Sequence, residues 1–343
     1  MTSAETREGE LPNASRNGTA PAGSEPEELD GLRISLRTYR RVVFVALLLL
    51  CAIVVTGAAV RLTGSGLGCS SWPNCEPGEF IEIGSPNQAI EQINRLFTGA
   101  VSLGVAAAVL GATRLHRRRR DLLWLSLGLV AGVIGQIVLG GITVLVDLHP
   151  VAVAGHFLLS MILVSTATVL LWRSGIDPDT EAPPEPPARA DPQALARPYS
   201  ESRIRALSWA VVASCAAVLA VTGPLVTGSG PHAGDLDAPR FDVAITDAAR
   251  IHSISAWVFC ALVVGLLILL ARTGTDRLTT TAGTILLAVI VAQGGIGYLQ
   301  YERGIPAGLV LAHILGATCI AVAATWFQCE LVGGHLRHRS DRP

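Results

Sequence analysis

His156, His252 and His313 lie inside long apolar stretches, where a polar side chain is costly and normally has a partner. His252 and His313 fall in the same half of the chain. Two imidazoles facing each other between apolar helices suit an iron held by two histidine nitrogens, as in a bis-histidine haem. Zinc asks for three or four ligands, and no cluster of Cys, Asp or Glu lies beside these histidines to complete such a set. The plain alternative is that each is a hydrogen-bonded packing residue. Of the remaining histidines, His116, His335 and His338 sit among basic residues, and His149 and His232 sit in polar connections.

The half that carries His156 breaks the symmetry. Aligned with Arg250-Ile-His252-Ser, it reads Gln92-Ile-Asn94-Arg95, so asparagine stands where the other half has histidine. Asparagine is a poor iron ligand. A site there is either five-coordinate, with room for chemistry on a bound porphyrin, or absent, with Asn94 bonded to a neighbouring helix. Glu91 precedes Arg95 by four residues. It is either half of an i,i+4 surface pair or a carboxylate at the rim of the pocket, able to manage protons. Arg61, Arg95 and Arg250 are placed to pair with the propionates of a haem, or simply to anchor helix ends among lipid head groups. Cys69 and Cys75 share one loop with Trp72-Pro73 between them, a spacing and turn that allow a disulfide in an oxidising compartment. The other cysteines are scattered singly through apolar stretches and read as small buried residues.

These residues need elements to hold them, and the composition says which. Hydrophobic residues make up 50% of the 343 and charged residues only 15%, against about 25% in a soluble chain. The uncharged runs Val42–Val60, Leu96–Thr113, Leu122–Val146, Val151–Trp172, Ala206–Thr227, Ile251–Ala271, Leu278–Tyr298 and Ile305–Phe327 each approach the roughly 20 residues of a membrane span. The expected fold is therefore an all-α integral membrane protein of eight transmembrane helices. Arginines crowd alternate connections (Arg37, Arg40 and Arg41; Arg114 and Arg117–Arg120; Arg173, Arg203 and Arg205; Arg272 and Arg277; Arg337, Arg339 and Arg342), while the others carry Glu76, Glu79, Glu82, Asp235, Asp237, Asp242 and Asp247. The positive-inside rule then puts both termini in the cytoplasm and the histidine sites near the outer face of the cell membrane. Topology already accounts for the run Arg117–Arg120, so nucleic acid is not an expected partner; the lipid bilayer is.

The halves repeat. Val55-Thr-Gly57 and Thr63-Gly-Ser-Gly66 recur as Val221-Thr-Gly223 and Thr227-Gly-Ser-Gly230, and Gln136…Gly140-Gly-Ile142 resembles Gln293-Gly-Gly-Ile296. The reading is of two repeated four-helix bundles, residues 41–173 and 204–329. A disordered tail over 1–40, a Pro-rich linker over 174–203 and a basic tail over 330–343 complete the expected organisation.

Val60-Arg-Leu-Thr-Gly-Ser-Gly-Leu-Gly-Cys-Ser-Ser-Trp-Pro-Asn-Cys75, Glu91-Gln-Ile-Asn-Arg95 and Gln136-Ile-Val-Leu-Gly-Gly-Ile-Thr-Val-Leu145 followed by His156 resemble motifs of the haem A synthase family. The resemblance runs from about Arg40 to Cys329, without the linker. It implies a haem b cofactor on His252 and His313, and haem O as substrate, with His156 as its iron ligand. It also implies oxidation of the haem O C8 methyl group to a formyl group, giving haem A, with Glu91 as the required carboxylate. The Cys69–Cys75 pair would assist haem transfer or electron flow. Candidate partners are a haem O synthase, assembly factors of the terminal oxidase and a quinone or other electron acceptor. The chain departs from the pattern at Asn94, where the family has histidine, and in lacking a second cysteine pair between Gly228 and Arg250. Two other classes stay open: a di-haem b-type cytochrome for quinol electron transfer, and a non-enzymatic haem carrier.

Overall fold

The computed structural model describes residues 33–81, 83–176 and 197–340, with no side chains described for 197–201 and 334–340. The described residues are helical throughout, joined by short loops and two isolated β-bridges. The helices are α1 (Leu36–Leu62), α2 (Pro86–Thr113), α3 (Arg120–Leu145), α4 (Pro150–Arg173), α5 (Arg197–Ala217), α6 (Gly223–Ser229), α7 (Ile245–Thr273), α8 (Arg277–Glu302) and α9 (Ala307–Ser340). A single π-helical turn, Val218–Thr222, joins α5 to α6, so Ser202–Ser229 forms one span. Among the described residues eight helices are long and apolar enough to cross a membrane, and the protein is a multi-pass membrane protein.

Local chemistry sets the ends. Ser85 accepts a hydrogen bond from the Gln88 amide at 3.2 Å, and Pro86 follows at the first helical position, where a missing N–H costs nothing. Hence α2 begins ten residues before the apolar run at Leu96, and Glu91, Asn94 and Arg95 lie well inside the helix rather than in its first turn. Ser35 and Asp276 cap α1 and α8 in the same way, and Gly274 ends α7 in the left-handed conformation. Pro224, which lacks an amide hydrogen, stands one residue beyond the π turn, where the regular ladder is interrupted.

In the first half α1 packs on α2, α2 on α3, α3 on α4, and α4 returns to α1. In the second half α5 packs on α7, α7 on α8, α8 on α9, and α9 returns to α5. The halves meet through α4 and α1 against α9. One core is built on Tyr39, Leu47, Val105, Leu122, Leu129, Val164 and Leu170. The other is built on Phe259, Val263, Leu266, Leu286, Ile290 and Phe327.

Some boundaries differ from the sequence expectation. Helix α1 starts inside the stretch read as a tail over 1–40, α5 starts at Arg197 inside the stretch read as a linker, and α9 runs on to Ser340. Residues 1–32, 177–196 and 341–343 lie outside the described residues, as do Glu82 and the side chains of His335, Arg337, His338 and Arg339.

Candidate functional site

The N-terminal part of α2 and the loop before it form one unit. Cys69 and Cys75 are disulfide-bonded, with Cα atoms 4.5 Å apart, and neither side chain is exposed. Glu91 is 5% exposed. Its Oε2 accepts the Cys69 amide hydrogen at 2.8 Å, and its Oε1 accepts from Arg95 Nε at 3.0 Å and Nη2 at 2.6 Å. Arg95 also donates to the carbonyls of Ser71 and Asn74 at 3.2–3.3 Å. The i,i+4 pair expected from spacing is therefore present, but it is buried and clamps the disulfide loop to α2. At the loop's rim Glu76 accepts from Ser70 Oγ at 2.5 Å and from Gln88 Nε2 at 3.1 Å, which holds its carboxyl below the usual range.

Trp72, at the tip of this loop, lies on α3. A Cβ placed on Gly141 would fall 2.6 Å from the Trp72 ring, so only glycine admits the indole there. The preceding residue, Gly140, faces His156: a Cβ would stand 3.2 Å from His156 Cε1. Gln136 Nε2 donates to the His156 carbonyl at 3.0 Å and to Ser160 Oγ at 2.7 Å, which fixes the backbone that carries the ring. His156 Nδ1 is buried with no protein partner. Asn94 accepts a hydrogen bond from Thr56 Oγ1 of α1 at 2.8 Å.

The second half repeats these contacts with one exchange. Gln293 Nε2 donates to the His313 carbonyl at 2.7 Å, Gly297 lies under His313 Cε1, and His313 Nδ1 is buried and unpartnered. Thr222, the counterpart of Thr56, has its hydroxyl 3.0 Å from His252 Nδ1 and 2.9 Å from Ser255 Oγ. With Nδ1 of His252 engaged, Nε2 is the nitrogen left for a ligand. The His252 and His313 ring centroids are 6.2 Å apart. That is close to the roughly 6 Å expected for a metal between two imidazoles, from two bonds of about 2 Å and two ring radii of about 1 Å. That spacing would let the two imidazoles hold a haem iron between them. Among the described residues no group of three or more His, Cys, Asp or Glu gathers to hold a bare metal ion.

The remaining candidates lie apart from these pairs. Arg61 Nη2 donates to the Thr227 carbonyl at 2.7 Å, joining the ends of α1 and α6, while its Nε is buried without a partner. Arg250 is exposed near the start of α7. His149 caps α4, and His232 Nε2 lies 2.8 Å from the Ile305 carbonyl, so both have structural places. Thr56 and Thr222 had not been singled out as site residues. Their signal was the repeated Thr-Gly dipeptide, Thr56-Gly57 and Thr222-Gly223.

The family model that matches the chain is COX15-CtaA, described as cytochrome oxidase assembly protein, over residues 40–83 and 79–325. Among relatives, the chain is 35% identical over 121 residues to a heme A synthase of Bacillus pumilus, covering 35% of this chain and 38% of that one. It is 32% identical over 124 residues to a heme A synthase of Bacillus mycoides, covering 36% and 39%. A protoheme IX farnesyltransferase of Chloroflexus aurantiacus is 29% identical over 286 residues, covering 83% of this chain and 43% of that protein. The matched stretches thus span about two fifths of the length of these relatives.

Proposed function

The chain belongs to the COX15-CtaA family of cytochrome oxidase assembly proteins, the haem A synthase family, and from that premise we propose that it is a membrane oxidoreductase converting haem O to haem A. The observation that carries the proposal is the inequality of two otherwise matching sets of contacts: His252 faces His313 in one, whereas in the other Asn94 stands where the repeat has His252. In this reading 204–329 is the cofactor half, where His252 and His313 hold haem b. That haem supplies one-electron redox chemistry when bound. Thr222 orients His252 through Nδ1, and Gln293 fixes the helix turn that carries His313.

The half 41–173 takes the substrate. His156, held over Gly140, is the residue that binds the iron of haem O, and Asn94 leaves the opposite side without a histidine. The reaction is oxidation of the C8 methyl group to a formyl group by successive hydroxylations, with oxidant and electron acceptor supplied from outside the chain. Glu91 is the carboxylate assigned to the reaction. It lies beneath the disulfide loop, where it both holds the loop and can hold a proton at Oε1 or Oε2. Arg61 and Arg250 remain available for haem propionates, whereas Arg95 is committed to Glu91 and the loop. The similar stretch fills 43% of a protein named for farnesylating protohaem IX, which supports a substrate haem that already carries a farnesyl group. The arginine-rich connections support a topology with both termini in the cytoplasm and the haem sites towards the outer face.

A haem carrier is the second reading, favoured by one observation: both Glu91 oxygens already have protein partners. Haem extraction and chromatography separate the two, using membranes that carry the protein together with a haem O synthase. Haem A is expected from the wild type, and haem O or a hydroxylated intermediate from Glu91→Ala. Haem O alone in both, with the protein folded and loaded, sinks the synthase and leaves the carrier.

A further inference from the structure

We propose that the Cys69–Cys75 loop is a lid over the His156 half and that Trp72 is its positioning residue, fixing bound haem O beside His156; the proposal rests on the reading of that half as the substrate site. The loop is anchored on two helices. On α2 its backbone is tied to Glu91 and Arg95. On α3 its indole occupies Gly141, directly after the Gly140 that admits the His156 ring. Two consecutive glycines therefore seat the histidine and the loop's aromatic ring on one turn of α3, about 100° apart around its axis. Neither seat tolerates a Cβ without displacing its occupant.

The other half supplies the contrast. Gln136, Gly140 and His156 recur with unchanged spacing as Gln293, Gly297 and His313, but the residue after the glycine is Tyr298 instead of Gly141. Tyr298 is bonded to Ser253 and Trp257 on its own pair of helices, at 2.8 and 3.0 Å. The glycine that seats an indole directly after the histidine-facing glycine belongs to the half where asparagine replaces the second histidine. A flat, largely apolar macrocycle held by one histidine gains orientation from an aromatic wall, which an indole docked on the same turn of α3 would provide.

The test uses the full-length protein in detergent, loaded with its second-half haem. Two quantities are read: haem O binding by optical titration, and the rate at which a thiol reductant opens Cys69–Cys75, followed by alkylation and peptide mass mapping. In the wild type, haem O is expected to slow opening of the disulfide severalfold. Trp72→Ala and Gly141→Ala are expected to lose that protection and to weaken haem O binding about five- to tenfold, with the spectrum of the His252–His313 haem unchanged. Trp72→Phe is expected to restore most of both effects. If haem O saturates the wild type without protecting the disulfide, or protects Trp72→Ala as well as the wild type, the lid is overturned. If the wild type takes up no haem O at all, the synthase reading falls, and the lid with it; that result is seen in the titration rather than in the thiol measurement. Should Trp72→Ala lose the second-half haem spectrum through misfolding, Gly141→Ala and Trp72→Phe decide the matter.

Discussion

Both carboxylate oxygens of Glu91 are engaged, one by the Cys69 amide and the other by Arg95, inside a shell that excludes water. Removing the carboxylate leaves the guanidinium without its partner in a part-buried site, which costs on the order of 3 kcal/mol. Glu91→Ala is therefore expected to loosen the disulfide loop as well as to stop haem A formation. Glu91→Gln can still accept from Cys69 and should keep the loop closed while losing activity. Disulfide accessibility and haem chromatography on the two variants divide the latch from the chemistry. At the rim, the Ser70 and Gln88 bonds lower the pKa of Glu76. Their contribution is complete above the free-glutamate value of about 4.3 and fades as pH falls through the lowered folded value. Disulfide opening by a phosphine reductant, which needs no thiolate, should accordingly quicken only below about pH 4, and Glu76→Gln should abolish that dependence. In the other half, Thr222→Val removes the partner of His252 Nδ1. Loss of such a supporting hydrogen bond typically weakens metal binding about 10- to 100-fold, to be read as haem retained per protein after dialysis against apomyoglobin.

Helices in this protein carry their site residues by exact neighbours rather than by general apolarity. The π turn Val218–Thr222 shifts the register of its span just before Pro224 and includes the Thr222 that meets His252. α1, with no proline at the matching place, is regular through Leu62 and delivers Thr56 to Asn94. Helices α8 and α9 approach closely enough that Gly316 lies against the Gln293 side chain, whose amide holds the His313 carbonyl. Gly316→Ala would drive a methyl group into that amide. We expect a loss of about 1–3 kcal/mol in stability, seen as a lower midpoint of thermal unfolding in detergent. On the proposed assignment, haem should be lost from the second half before the helices melt, because the displaced glutamine holds the backbone that carries His313.

Across the whole molecule, the halves are joined at both ends of the helices. At one end the Gly66 amide donates to the Gly234 carbonyl at 3.0 Å, and Leu148 packs with Leu67, Ala233 and Ala238. Leu148 takes a left-handed backbone, φ 57°, to enter that cluster. At the other end Glu330 of α9 accepts from Trp172 of α4 at 3.0 Å and from Trp326 at 3.1 Å. In the proposed topology the first end faces the outside. Alkaline phosphatase fused after Gly78 or Asp237 should be active, and fused after Arg117 or Arg272 inactive; the reverse pattern would invert the topology.

Composition and hydrophobic run length by themselves determined the eight spans, because a bilayer admits few alternatives to an apolar helix of about 20 residues. The Thr-Gly and Gln-Gly-Gly repeats made the candidate histidines and the asymmetry at Asn94 legible, since repeated residues occupy matching positions along the chain. Tertiary structure alone decided what those residues touch. Spacing could present Glu91 and Arg95 only as an i,i+4 pair, because the loop that buries them folds back from some twenty residues earlier. The start of α2 at Pro86 was hidden because its polar first turns are covered by that same loop. The seat of Trp72 on Gly141 was equally out of reach, since a glycine's use depends on which side chain arrives from elsewhere in the chain.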